Sequence, residues 1–374
     1  MAQNNNNEQL SLLALTKVRG VNAALLLQIL EVAGSASQLF ANIGNIHDML
    51  PGASAKLIES LSDRSIFECA EKELEFATSK GIRIISYNSD EYPYRLKECS
   101  DAPVVMYTMG NVDLNAAHVV SVVGTRRVTE YGKDICEAFV SDLARLLPDT
   151  LIVSGLAYGV DVCAHRAALK AGLPTIGVLA HGLDRIYPSA HRSVAKEMLQ
   201  NGGVLTEYMS GTDPFKGNFL QRNRIVAGIA DATVVVESPS YGGSLVTASL
   251  ATGYSRDCFA FPGRINDKNS CGCNELIARN RAGLITSAYD FVEAMNWTPQ
   301  NNNTPDEERE LFPLLPPMEE SVLELLRDHS DGLQINQIVI ALDVPVGIIM
   351  SALFELEMKN LVRTVAGGIY RAIV

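Results

Sequence analysis

The sequence predicts an α/β protein: an extended Rossmann-like parallel sheet, preceded by a helical domain and followed by a winged helix. Three observations predict it. Between residues 117 and 295, short apolar runs rich in Val and Ile alternate with segments long enough for helices, the pattern of a sheet covered on both faces. Before residue 78, apolar residues recur at three- and four-residue steps, with no strand-like alternation. After residue 317, three short helical stretches lead into two β-like runs joined by Gly367-Gly368.

The first domain spans 1–78. Its helical runs are LSLLALTKV, AALLLQILEVA and SAKLIESL, interrupted by the turns Arg19-Gly20-Val21-Asn22 and Pro51-Gly52-Ala53-Ser54. Each turn resembles that of a helix-hairpin-helix or SAM-like domain but lacks the second glycine, so a plain helical bundle is the better description. The second domain, 80–297, holds the sheet. Its strands are expected at 118–124, 150–155, 175–182, 203–208, 232–238 and 257–263, with RIISY (83–87) and PVVMYTMG (103–110) as extensions. Residues 298–317, rich in Asn, Pro and acid, read as a linker, and 318–374 as the winged helix. There the last helix is expected to start just after Asp343, with Pro345 in its first turn.

Composition narrows the class. At 374 residues the chain suits two or three domains, and 47% hydrophobic with 20% charged residues is ordinary for a globular protein. The polar start MAQNNNNEQL has no apolar signal region, which predicts a cytoplasmic protein with no membrane span. Seven dispersed cysteines read as free thiols. Cys271-Gly-Cys273 lacks a second Cys/His pair at zinc spacing, so no metal or other cofactor is expected. The net charge of −12 argues against a nucleic-acid partner until it is localised: residues 121–230 carry twelve Lys/Arg against ten Asp/Glu.

In a doubly wound sheet, ligands bind where the strands terminate. Here the strand ends carry unusual loops: Gly124-Thr125-Arg126-Arg127, Gly155 to Asp161, Gly182 to Asp184, Glu207, Gly242-Gly243-Ser244 and Pro262-Gly263. The first opens a helix at Val128-Thr129 with two arginines beside it, which suits a phosphate but does not spell G-x-G-x-x-G. Gly243-Ser244 opens another helix, with Ser244 read as a cap and phosphate donor rather than a nucleophile. Lys216, Phe219, Arg222, Asn223 and Arg224 mix cations with a flat ring at one helix start, the combination that unpaired bases and their backbone require. The competing possibility is that Phe219 is core and the arginines pair with acids such as Asp213 or Glu207. Asp161, His165, Asp184 and His191 fit no metal or catalytic spacing and read as loop braces.

Together these stretches resemble the DNA-processing DprA, or Smf, family. The matches are SVVGTRRVTEYG (121–132), VSGLAYGVDVCAHRAAL (153–169), GLDRIYPSAHR (182–192), KGNFLQRNRIVAGIADATVVVES (216–238), GGSLVTASLA (242–251) and FPGRINDKNSCGCNELI (261–277). The resemblance implies a Rossmann-like fold with no enzymatic activity, which binds single-stranded DNA during natural transformation. It also implies a homodimer that delivers this DNA to the RecA recombinase. Arg126 is the implied phosphate ligand, and Lys216 and Phe219 the implied DNA contacts, an assignment extended to Arg222, Arg224 and Gly243-Ser244. Ala180-His181 and Tyr241 depart from the family pattern. A phosphoribohydrolase on a related fold is the alternative, but its P-G-G-x-G-T-x-x-E loop is replaced here by Ser240 to Thr247 without the glutamate. Residues 300–374 hold five cations against twelve acids, which disfavours a phosphate grip and favours protein contact, self-association or regulation.

Overall fold

The computed structural model describes residues 2–46, 52–299, 315–329, 331–359, 361–365 and 368–373. Nine strands form one sheet: β1 (Arg83–Ser86), β2 (Val105–Gly110), β3 (Val119–Val123), β4 (Leu151–Ser154), β5 (Thr175–Val178), β6 (Gly202–Thr206), β7 (Ala232–Val235), β8 (Asp257–Ala260) and β9 (Gly283–Leu284). Their order is β1-β2-β6-β5-β4-β3-β7-β8-β9. From β6 to β9 across the sheet every neighbouring pair is parallel. The six strands expected to run parallel do so, and the two expected extensions join at one edge, where β2 runs antiparallel to both β6 and β1. The physical reason lies in the connection. β2 and β3 are four strand positions apart, roughly 19 Å at the usual strand spacing, and only residues 111–118 join them. Eight residues reach about 27 Å, enough to run along one edge of the sheet but not to return over its face as a parallel crossover requires. Reversing β2 ends it on the edge where β3 begins.

The strands are buried on both faces, and the two-residue period sorts their side chains. Val119, Val123, Val153 and Val235 face the helices Lys216–Gly228 and Gly243–Gly253 through Ile225, Val226 and Ala248. Val120, Val122, Ile152 and Val234 face the helices Glu130–Leu146 and Val160–Ala171 through Phe139, Leu143, Val160 and Ala164.

The amino-terminal helices are Ala2–Leu15, Ala23–Ala33, Ala36–Ala41, Ala55–Ser62 and Ser65–Lys80. The two hairpin-like turns end in side-chain caps: Asn22 accepts from the Leu25 N–H at 2.9 Å and Ser54 from the Leu57 N–H at 3.2 Å. Pro51 of the second turn lies outside the described residues. The helices of residues 1–78 share a core with the sheet. Ile66, Ala70 and Ala77 pack with Val104, Val105 and Tyr107 at the sheet edge, and with Met209. Contacts accordingly gather Met1–Gln300 into one compact unit. Short helices with one apolar stripe cannot bury it alone, and the antiparallel edge supplies the missing surface.

The second unit, Asn301–Val374, contains the helices Pro317–Asp328, Ile335–Leu342 and Val346–Met358. β10 (Leu333–Gln334), β11 (Val362–Val365) and β12 (Ile369–Ala372) form a three-stranded sheet in the order β10-β12-β11, completing a winged helix. Its core is Val322, Leu326, Ile338, Ile349, Leu353 and Leu356. Residues 300–314 of the expected linker, and Gly367 of the expected turn, lie outside the described residues. Among the described residues no single helix is long and apolar enough to cross a membrane.

Candidate nucleic-acid interface

The chain order of the strands reverses between β3 and β7. From β3 the chain steps outward through β4, β5 and β6, then crosses back to β7 and continues to β8 and β9. The crevice outside the carboxyl ends at such a switch point is where doubly wound sheets hold ligands. A cleft of about 620 Å³ opens there, lined by the loops after β3, β4 and β7 and by the first two turns of the helix Lys216–Gly228. Gly124, Thr125, Arg126, Arg127, Lys216, Phe219, Arg222, Asn223, Gly243 and Ser244 all line it. Residues 182–184, Glu207 and Pro262-Gly263, also expected at this edge, do not.

The loops are held by one another. Thr125 N–H donates to the Glu237 carbonyl at 2.7 Å, and Val160 N–H donates to the Thr125 carbonyl at 3.2 Å. Gly159 sits between them at φ +81°, and a Cβ there would fall 2.1 Å from the Thr125 oxygen, so both the dihedral and the contact require glycine. The start of the helix Glu130–Leu146 differs from the sequence reading. Thr129 caps it, accepting from Gly132 N–H at 3.1 Å, while the Glu237 carboxylate takes the Thr129 N–H at 2.8 Å and its hydroxyl at 2.7 Å. A resident carboxylate already occupies that positive helix end, so the cationic side chains Arg126 and Arg127, both exposed, carry the anion chemistry of this loop.

The helix Gly243–Gly253 is the opposite case. No side chain caps it, and Gly242 and Gly243 are exposed at the cleft. Ser244, expected as its cap, is buried and its hydroxyl lies 2.9 Å from that of Ser238. The helix Lys216–Gly228 also begins without a side-chain cap, with exposed Lys216 as its first residue. Two open helix N-termini and three exposed cations therefore converge on one crevice, an arrangement suited to phosphate groups.

Phe219 is half-buried, neither core nor free. The Arg126 guanidinium lies 5.4 Å from its ring centroid, and the Tyr187 ring 5.9 Å away at a 55° tilt. Tyr187 is 49% exposed, and Tyr241, which also lines the cleft, is 91% exposed. Sequence reasoning missed Tyr187, which comes from the loop after β5, 32 residues before Phe219, and no local pattern pairs them. Tyr241, noted only as a departure from a family pattern, also lines the cleft.

Two arginines do not act as the sequence suggested. Arg224 is 6% exposed, points away from the cleft, pairs with Glu207 and donates to the Asp101 carbonyl at 2.6 Å. Arg222 lines the cleft floor but is only 4% exposed, and it donates to the Gly155 carbonyl at 2.6 Å and to that of Val178. It ties together the ends of β4 and β5. Asp161 is buried with it: burial pushes the Asp161 carboxyl above its usual range, opposed by the positive field of Arg222.

The remaining polar residues brace the loops. His165 Nδ1 lies 2.7 Å from Thr175 Oγ1, and His191 Nδ1 2.8 Å from the Leu156 carbonyl. Asp184 accepts from Gly211 N–H at 3.0 Å. His181 donates from Nδ1 to the Gly182 carbonyl at 2.9 Å and accepts at Nε2 from Tyr187 N–H at 3.2 Å, with burial lowering its basicity. That pair of bonds fixes the backbone that carries Tyr187.

Residues 83–296 match the family model of DNA recombination-mediator protein A, and residues 303–368 that of the DprA winged helix domain. A putative DNA processing protein DprA of Mycobacterium tuberculosis is 36% identical over 251 residues, an alignment covering 64% of each chain. The chain thus matches just under two thirds of that relative's length. DprA of Streptococcus pneumoniae is 42% identical over 203 residues, covering 54% of this chain and 71% of that one. Its X-ray structure superimposes with a TM-score of 0.63 at 34% identity, over 75% of this chain and 95% of that chain. The Helicobacter pylori DNA processing protein A, solved to define its single-stranded DNA binding mode, gives a TM-score of 0.52 at 32% identity, over 57% and 95% of the respective chains.

Proposed function

Because the chain belongs to the DNA recombination-mediator protein A family, we propose that it binds single-stranded DNA in the cleft between β3 and β7 and passes it to a recombinase of the RecA type. The observation that carries the reading is Arg126 set over the Phe219 ring, with Lys216 lining the same cleft: a phosphate ligand and a base platform within one crevice. Backbone neutralisation gives affinity, and a π-face accepts any unpaired base, whereas a paired base keeps its faces in the stack. Homodimer formation and recombinase delivery rest on family membership. We read the role as binding, with Ser244, whose hydroxyl lies 2.9 Å from that of Ser238, as part of the cleft wall rather than a nucleophile.

A competition experiment tests this. Labelled single-stranded oligonucleotide is bound across a salt series, then challenged with unlabelled single strand or duplex of equal length. Single strand is expected to displace the probe at far lower concentration, with affinity falling steeply as salt rises. Equal displacement by duplex, or affinity indifferent to salt, overturns the assignment.

A further inference from the structure

The second unit carries a surface that the DNA cleft does not explain. In a helix-turn-helix the second helix of the pair is the one that enters the major groove, with cations meeting the backbone around it. Here that helix is Val346–Met358, and its outward face is apolar. Val346, Met350, Phe354 and Met358 follow one another at four-residue steps, with exposures of 49%, 56%, 60% and 68%. They form a stripe about 18 Å long. Ile340, 80% exposed on the preceding helix, adds to the exposed apolar surface of the pair. These side chains are not the core, because Ile349, Leu353 and Leu356 on the same helix fill that.

The two helices that carry this surface hold charge of one sign. Residues 333–358 contain Asp343, Glu355 and Glu357 and no lysine or arginine. Glu357 accepts from the Thr364 N–H and hydroxyl at 3.2 Å, which holds its carboxylate beside the stripe. The next cation along the chain, Lys359, is paired with Glu319 at 2.6 Å. An apolar stripe of this length on a described surface marks a docking site. Its charge selects the occupant. Nucleic acid and anionic lipid would meet carboxylates on helices that carry no lysine or arginine. A second copy would set the same acids against each other, and the chain's own 300–316 segment brings four more acids for one arginine.

We propose that this face of the winged helix docks an amphipathic helix of a partner protein, with an apolar stripe of about three turns flanked by lysine or arginine. It is a separate surface from the cleft and stands whether or not the cleft binds DNA.

The test uses the full chain and two designed helical peptides with the same leucine stripe, one flanked by lysines and one by glutamates, read by fluorescence anisotropy. The lysine peptide is expected to bind, the glutamate peptide at least tenfold more weakly. The double variant M350S/F354S, which changes no charge and lies on the exposed face, should weaken the lysine peptide tenfold or more while leaving oligonucleotide binding as it was. Equal binding of both peptides, or no effect of the double variant, overturns the proposal. So does a shift in sedimentation of the unliganded variant, which assigns the face to a second copy, or variant-sensitive binding to neutral phosphatidylcholine vesicles, which assigns it to a membrane.

Discussion

Arg126 and Arg224 are both arginines in family-matched motifs, yet one faces solvent over an aromatic ring and the other is buried against Glu207. Their substitutions should therefore fail in different ways. Arg126→Ala and Lys216→Ala should each weaken single-strand binding and reduce the slope of log affinity against log salt by about 0.7, one phosphate contact apiece. A salt titration of each variant checks this, and an unchanged slope in both removes them from the interface. Arg224→Ala should instead leave the slope alone and lower folding stability by roughly 3–5 kcal/mol, because a buried carboxylate loses its partner. Burial already raises the Glu207 carboxyl above its usual range, and without the opposing guanidinium it would rise further. Phe219→Ala and Tyr187→Ala should each cost about 1–3 kcal/mol of binding if bases stack on the pair, measured by anisotropy with unfolding curves as control. At this scale the sequence supplied residue types but not their directions. A helix turns by 100° per residue, so Phe219 and Arg224, five positions apart, point to different surroundings.

The strands and helices around the cleft were more legible, because each is fixed by local chemistry. Strands β3, β4, β5, β7 and β8 fall inside the expected runs and β6 begins one residue before its run, since short apolar Val/Ile segments bounded by glycine have few other uses. β9, only Gly283–Leu284, left no pattern to read, and the reversal of β2 follows from a connection length that matters only once the neighbours are known. Among the loops, Gly155 at the end of β4 is the most sensitive. A Cβ there would lie 2.5–2.6 Å from the Arg222 guanidinium, which bonds the Gly155 carbonyl. Gly155→Ala should displace that guanidinium, destabilise the fold by about 1–3 kcal/mol in urea denaturation, and weaken DNA binding by loosening the cleft floor. If stability and binding both match the parent chain, Arg222 does not organise these loops.

For the whole molecule, two couplings stand out. Glu73, 5% exposed on the helix Ser65–Lys80, accepts the Ser210 N–H at 2.9 Å, so the amino-terminal helices hold the segment that leads to Lys216. Glu73→Ala leaves that N–H without its carboxylate and should cost about 1–3 kcal/mol, with faster hydrogen exchange through residues 209–216. Protection equal to the parent chain would place the segment's order elsewhere. The second coupling is to pH. His165 is fully buried and its pKa is pushed down to about 3, chiefly by burial, against 6.5 for an ordinary histidine. Between these values the unfolded chain binds a proton that the folded chain refuses. The stability contribution is therefore complete above pH 6.5 and is lost toward pH 3, by up to about 1.4 kcal/mol per pH unit. Denaturation at pH 7 and 5 should show this loss, and His165→Leu should shrink it; the same loss in the variant would assign it to other groups.

What the sequence determined by itself was the alternation of layers, the carboxyl-edge location of the loops, and the residue types that suit an unpaired polynucleotide. Those follow from periodicity and turn chemistry, which act over a few residues. What only the tertiary structure decided was orientation and company: Tyr187 beside Phe219, Arg222 and Arg224 turned inward, Glu237 on the first helix end, and the amino-terminal helices sharing a core with β2. The contacts behind these join residues from 17 to 123 positions apart, and they are selected by packing and by the satisfaction of buried polar groups rather than by any local pattern.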